Sequence, residues 1–309
     1  EDPYLGGEMA KATVEGYQGD MGKYNIAACV KHFAAYGAAE AGRDYNTVDV
    51  SERNLREYYL PAYKRAVDAG VKMLMTAFNI VDGVPCVGNK HLVKEILRDE
   101  WGFDGVVISD YSAFDELATH GVSENQKECA YLAMEAGCDI EMMSGCYAGY
   151  LKELIQEGKI SEEQLDKSVL RILNLKEELG VLDNPFRSVN PEEAKRVQLS
   201  KEHRALARRG AEECAVLLKN DNVLPFSKDV GSVAVIGPLG NTGEIHGSWK
   251  CGGKAAETIS VLEGVMGILG DKVKYAQGCQ IEYNSTDESL IDEACELAKN
   301  SDIVILCLG

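Results

Sequence analysis

The stretch that decides the fold is residues 101–115, WGFDGVVISDYSAFD. Gly102 and Gly105 turn the chain into a short apolar run, Val106-Val107-Ile108, which stops abruptly at Ser109-Asp110-Tyr111. A β-branched run bounded by glycines, with no polar alternation, reads as a strand buried on both faces, as parallel strands of α/β proteins are. In a (β/α)8 barrel the C-terminal ends of such strands carry the active site while their bodies pack the core. Asp110 is therefore the candidate catalytic residue, and Tyr111 beside it offers an aromatic face to a ligand ring. The same position also suits an aspartate that only caps the helix after it.

The pattern extends on both sides of this strand. Residues 8–17 have helical spacing, 26–33 (IAACVKHF) form an apolar strand closing on Lys31-His32, and a loop of Gly, Ala and charged residues covers 34–47. Ser51 caps a helix expected to reach Ala69. A strand over 71–78, a helix over 89–100, the central strand, a helix over 124–136 and a strand over 137–143 follow, the last with Asp139 and Glu141 at its end. Alternation of this kind implies a parallel sheet covered by helices. Four such strands are too few to close an eight-stranded barrel, so the missing ones are expected before Glu1. Helices over 150–157 and 161–179 come next, the second opened by a Ser161–Gln164 capping box, and Asn184-Pro185 begins a linker. Beyond it, a helix over 200–210 and strands over 232–236, 272–276 and 302–308, separated by helices over 261–269 and 287–299, make a second α/β layer.

Composition narrows the partners. The 309 residues carry a formal net charge of -18, from 32 Lys and Arg against 50 Asp and Glu. That argues against nucleic acid and anionic membranes, which need a basic footprint. No run approaches the roughly 18 apolar residues of a membrane span. The 10 cysteines form no CxxC pair and meet no histidine at zinc-ligand spacing. Cys29, Cys138 and Cys307 lie in strand-like runs, as reduced thiols used as small core hydrophobes do, which favours a cytoplasmic location.

Lys31 and His32 are the second chemical feature. Where the strand gives way to a loop, both can face one site, and a ligand rich in hydroxyls would supply the partners that a partly buried lysine needs. Taken alone, the pair reads equally well as a surface feature.

Several strings together resemble glycoside hydrolase family 3, the β-glucosidase and β-xylosidase family. They are KHFAAYG (31–37), MTAFN with DGVPC (75–86), and above all GFDGVVISDYSA (102–113); EDPYL, AGCDIEMM, VLLKN and AVIGPLG fit in the same order. The resemblance implies a partial (β/α)8 TIM-type barrel over residues 1–185, a linker and connecting helix over 186–212, and the start of an α/β sandwich domain over 213–309. It implies a retaining mechanism with Asp110 as nucleophile and sugar hydroxyls bound by Lys31 and His32. It also implies an aromatic for the aglycone side, where Trp249 of GSWKCGG stands. Phe78 stands where the family often has a tyrosine that bonds the nucleophile, and Asp44 and Met75 are further lining residues.

A retaining glycosidase needs two carboxyl groups roughly 5–5.5 Å apart and no cofactor or metal. Family members usually take the acid/base glutamate from the second domain, which here would follow Gly309. His120, ten residues after Asp110, is a weaker candidate. The expected activity is exo-hydrolysis of terminal β-D-glucosyl residues from an oligosaccharide or β-glucoside. The alternatives are β-xylosidase activity, or a noncatalytic carbohydrate-binding protein on the same scaffold. A chain with open sheet edges at both ends is also expected to be poorly stable or to aggregate by itself.

Overall fold

The computed structural model describes residues 2–282 and 285–309. The chain folds as two units, Glu1–Gln198 and Leu199–Gly309, which divide inside the segment expected to link two domains.

In the first unit the strands are β1 (Cys29–Phe33), β2 (Thr47–Val48), β3 (Met73–Thr76), β4 (Ile80–Val81), β5 (Val84–Pro85), β6 (Val106–Tyr111) and β7 (Ile140–Met142). The main sheet is parallel throughout in the order β1-β3-β6-β7. Helices fill each connection: Pro61–Asp68 before β3, His91–Glu100 before β6, and Ala113–Thr119 with Gln126–Ala136 before β7. Sequence neighbours pairing in parallel through helical crossovers make an arc of a (β/α)8 barrel. The register sets Met75 level with Ile108 and Phe33 level with Thr76, so the strands finish together one step short of Asp110.

The core explains why these segments pair. Helix His91–Glu100 buries Leu92, Val93, Ile96 and Leu97 completely, the spacing of an apolar face. They share one core with Leu74 and Val107 of the sheet and with Ala130 and Ala133 of helix Gln126–Ala136. Gly105 lets β6 start close to β3, since a Cβ there would lie 2.5 Å from the Lys72 carbonyl oxygen.

Three expectations need correction. The helix expected over 51–69 breaks at Pro61, which has no N–H to continue it; the Leu60 N–H instead bonds the Leu55 carbonyl, and Pro61 opens a new helix. The loop over 34–47 contains single turns at Tyr36–Ala38 and Glu40–Gly42 and ends in β2. The strand expected over 137–143 is only Ile140–Met142, so Asp139 precedes it rather than ending it.

A second, smaller sheet matters for the site. β2 pairs in parallel with β4, and β4 turns back into β5 through Asp82-Gly83, both at positive φ as a tight hairpin turn requires.

The second unit has β8 (Val233–Ile236), β9 (Val273–Ala276) and β10 (Ile303–Leu306), parallel in the order β10-β8-β9. β8 is central and fully buried, and Ser260 with Glu263 forms a capping box on helix Val261–Leu269. The helix expected over 200–210 runs from Lys201 to Cys214, while the apolar residues 215–219 remain exposed and irregular. Among the described residues no helix is long and apolar enough to cross a membrane.

Candidate active site

Asp110 stands at the C-terminal end of β6 with its side chain 14% exposed. Its Oδ1 accepts the Tyr111 N–H at 2.7 Å. It does not cap helix Ala113–Thr119, whose N-cap position is Ser112, a residue with positive φ that makes no side-chain cap. The capping alternative for this aspartate therefore falls away. Ser109 locks the level of the site: its Oγ accepts the Met142 N–H at 2.8 Å across the sheet and donates to the Asp110 carbonyl at 2.9 Å.

His32 comes from β1, two strands away. Its Nε2 lies 3.4 Å from Asp110 Oδ2. The backbone here is fixed by Phe33, fully buried and edge-on to Tyr63 and Trp101, and by the Tyr63 hydroxyl, which donates to the His32 carbonyl at 2.6 Å. Burial, then the Lys31 charge, push the imidazole below its ordinary pKa, with Asp110 and Asp44 opposing. The shift favours the neutral ring, in which the approach to Asp110 is a polar contact rather than an ion pair.

An aromatic wall adjoins this pair. The His32 and Tyr36 rings are 5.4 Å apart, Tyr36 and Phe78 6.3 Å, and Phe78 and Tyr45 4.7 Å. Asp44 joins the two tyrosines, accepting the Tyr36 hydroxyl and, at 2.9 Å, the Tyr45 N–H. Burial and then the bond to Asp44 raise the Tyr36 phenol well above its ordinary value, so it stays a donor. The wall draws on the loops after β1 and β3, and the β2–β4 pairing holds those loops together. The Asn79 amide adds a bond to the Ala34 carbonyl at 3.1 Å.

Sequence reasoning missed Glu116. It lies in the first turn of helix Ala113–Thr119, where an acid is an unremarkable companion of the helix dipole. Burial, then the charges of Asp110 and Asp44, raise its carboxyl to about 7. Its Oε2 is shielded from solvent and has no hydrogen-bond partner among the described residues. Nothing in the local sequence signals this, because the first cause is burial, which tertiary packing sets, followed by the Asp110 charge and then that of Asp44.

The remaining candidates divide clearly. Lys31 is exposed beside His32, its charge felt by that ring; Met75 is half-buried on β3; Tyr111 is 58% exposed beyond Asp110. Trp249 belongs to the second unit and is 92% exposed. His120 follows helix Ala113–Thr119 as its C-cap, where its N–H bonds the Glu116 carbonyl, and among the described residues no hydrogen bond or ion pair joins its ring to Asp110. Asp139 sits at the level of Val107, below the site, in a clamp with Arg98, Arg171 and Ser168. Glu141 accepts the Tyr147 N–H and so supports helix Cys146–Gln156. No group of three or more metal-binding side chains is assembled among the described residues.

Fold and site together define a barrel protein with a carboxyl group, Asp110, at the C-terminal end of a strand beside an aromatic wall, and a second, Glu116, on the helix after it. Comparison with known proteins carries this further. The family model for the glycosyl hydrolase family 3 N terminal domain matches residues 1–175, and that for the C-terminal domain matches residues 215–309. The chain belongs to glycosyl hydrolase family 3. Its first unit is accordingly part of a TIM-type barrel and its second part of an α/β sandwich domain. A periplasmic beta-glucosidase of Salmonella typhimurium is 37% identical over all of this chain and 44% of its own length. A beta-xylosidase of Formosa agariphila is 36% identical over all of this chain and 45% of its length. The crystal structure of a beta-glucosidase from Listeria innocua in complex with glucose superposes with a TM-score of 0.92 at 46% identity, over all of this chain and 43% of the other. The chain thus spans less than half the length of these relatives.

Proposed function

We propose that the protein is a retaining exo-β-glycosidase that releases terminal β-D-glucosyl residues through a covalent glycosyl intermediate on Asp110. The supporting observation is the Asp110 carboxylate, at a barrel-strand end and 3.4 Å from the His32 imidazole. In the first step an Asp110 oxygen attacks the anomeric carbon as the glycosidic bond breaks, and in the second, water releases the sugar. Lys31 and His32 bind sugar hydroxyls, and Tyr36, Tyr45 and Phe78 give the ring an apolar face. Beta-glucosidases among the relatives favour glucose as the sugar released.

Incubating the full-length enzyme with a 2-fluoro glucoside bearing an activated leaving group traps the intermediate, and peptide mapping is expected to find the sugar on Asp110. Labelling at any other residue refutes the assignment. Asp110→Asn is expected to abolish labelling and turnover, and unchanged turnover would favour a noncatalytic scaffold. The family also contains beta-xylosidases of similar identity, which keeps a second sugar in view. A higher kcat/KM for aryl xyloside than for aryl glucoside would replace glucose by xylose in this reading.

A further inference from the structure

Resting on the reading that His32 binds sugar, we propose that His91 is a pH-sensitive clasp: its proton fastens together the two helices that hold His32 in place, and loss of that proton loosens sugar binding as pH rises. His91 is one of five side chains that join helix 52–59 to helix His91–Glu100. Its Nδ1 lies 2.7 Å from Glu95 Oε2 on its own helix, and its Nε2 lies 3.2 Å from Glu52 Oε2 on the other. The second Glu52 oxygen accepts Arg56 Nε, and Arg56 Nη1 reaches both Glu100 oxygens at 2.9 Å. The series Glu95, His91, Glu52, Arg56, Glu100 thus crosses between the helices twice. Of the nearby cations, Lys90 lies 3.8 Å from Glu135 and Arg53 lies 3.4 Å from Glu57.

Both ring nitrogens of His91 therefore face carboxylate oxygens, which accept hydrogen bonds and do not donate them. A neutral imidazole has one N–H, so it satisfies one carboxylate and turns a lone pair on the other. Only the protonated ring donates to both. The bond to Glu95, opposed by burial and helped by Glu52, raises the His91 pKa above its ordinary value, as this arrangement requires. A histidine raised in the folded state lends stability that is complete below its unfolded pKa and is lost as pH rises through the folded one.

The helices meet the site through Phe33. Helix Pro61–Asp68, which takes over where helix 52–59 ends, carries Tyr63, and Trp101 is the C-cap of helix His91–Glu100. These two rings hold Phe33 edge-on, with centroids 5.2 and 5.9 Å away, and the Tyr63 hydroxyl donates to the His32 carbonyl. When the helices ease apart, Phe33 gains room and His32 loses its fixed place 3.4 Å from Asp110. His91 is accordingly a positioning residue, acting through Tyr63, Trp101 and Phe33.

The test compares the full-length enzyme with His91→Gln and His91→Arg at pH 6 and pH 8.5. Glutamine is uncharged at both values and arginine is charged at both. The wild-type KM for an aryl β-glucoside is expected to rise across this interval by about two- to fivefold more than that of either variant, the range an exposed ion pair commands, with a smaller change in kcat. The glutamine variant should already show the higher KM at pH 6, and the arginine variant should keep the lower one at pH 8.5. In urea unfolding, the stability difference between wild type and the glutamine variant should shrink over the same interval. A KM ratio common to all three proteins would overturn the proposal. If the urea difference shrinks while KM stays level, the fault lies in the reading of His32; if neither changes, it lies in the clasp. Labelling of Asp110 by the 2-fluoro glucoside in all three proteins keeps the nucleophile assignment separate. His91→Lys provides the charged comparison if the arginine variant does not fold.

Discussion

Replacing Asp139 by asparagine tests whether the site stands on the clamp beneath it. Asp139 is 1% exposed and accepts four hydrogen bonds: Arg98 Nη2 at 2.7 Å and the Val107 N–H at 2.8 Å on Oδ2, Ser168 Oγ at 2.8 Å and Arg171 Nη1 at 2.9 Å on Oδ1. Asparagine keeps the shape but turns one acceptor into a donor, so two of these donors meet an N–H₂ group whichever way the amide is oriented. The charge lost is the counter-charge of Arg98, whose side chain is only 9% exposed, so a buried cation is left unpaired. Breaking a buried pair in this way costs about 3–5 kcal/mol, whereas an exposed pair is worth about 1 kcal/mol or less. The larger figure applies here because burial, rather than the number of bonds, decides the cost. Urea unfolding of the full-length protein should show the loss, and amide exchange at Val107 should speed locally, since that N–H bonds the carboxylate. A loss under about 1 kcal/mol with unchanged exchange at Val107 would refute the reasoning.

Other perturbations follow from the same geometry. Tyr63→Phe removes the bond to the His32 carbonyl, which should cost about 0.5–1.5 kcal/mol and raise KM severalfold with a smaller change in kcat; an unchanged KM would remove Tyr63 from the positioning of His32. Gly105→Ala forces a methyl against the Lys72 carbonyl, with an expected loss of about 1–3 kcal/mol in thermal or urea unfolding; wild-type stability would show that β3 and β6 can part freely. Glu116→Gln should change the pH dependence of stability. A carboxyl whose folded pKa lies above its unfolded value destabilises the fold as pH rises from the unfolded value toward about 7, and that penalty persists above it. The glutamine variant should therefore gain relative to wild type at pH 8 compared with pH 4, by on the order of 1–2 kcal/mol after solvent screening. An equal difference at the two pH values would count against a raised Glu116.

What the sequence disclosed was local. The glycine-bounded run at 105–110 specifies β6 because burial on both faces leaves a composition that few other structures share. The Ser161–Gln164 capping box declares its helix, since the signal lies within four residues. The β2–β4 pairing left no such trace: two residues bonding to two others 33 positions away have no periodicity to read. Glu116 escaped for a related reason: its environment is made first by burial, which only the packed fold provides, and then by the charges of Asp110 and Asp44. Asp139 misled in the opposite direction, because it is adjacent to a strand and acidic, yet lies on the side away from Asp110. Strand bounds uncertain by a few residues are enough to exchange a catalytic end for a structural one.

The two-residue pairing of β2 with β4 has a consequence for how specificity can change. Because the loops after β1 and β3 are stitched together there, Tyr36, Asp44, Tyr45 and Phe78 form one heritable panel rather than four independent positions. Transplanting residues 34–48 alone from a relative with another loop length would unpick the seam and disorder the recipient's own Phe78. Segments 34–48 and 77–85 are thus a single exchangeable cassette, and recombination at this site should succeed only when both come from the same donor.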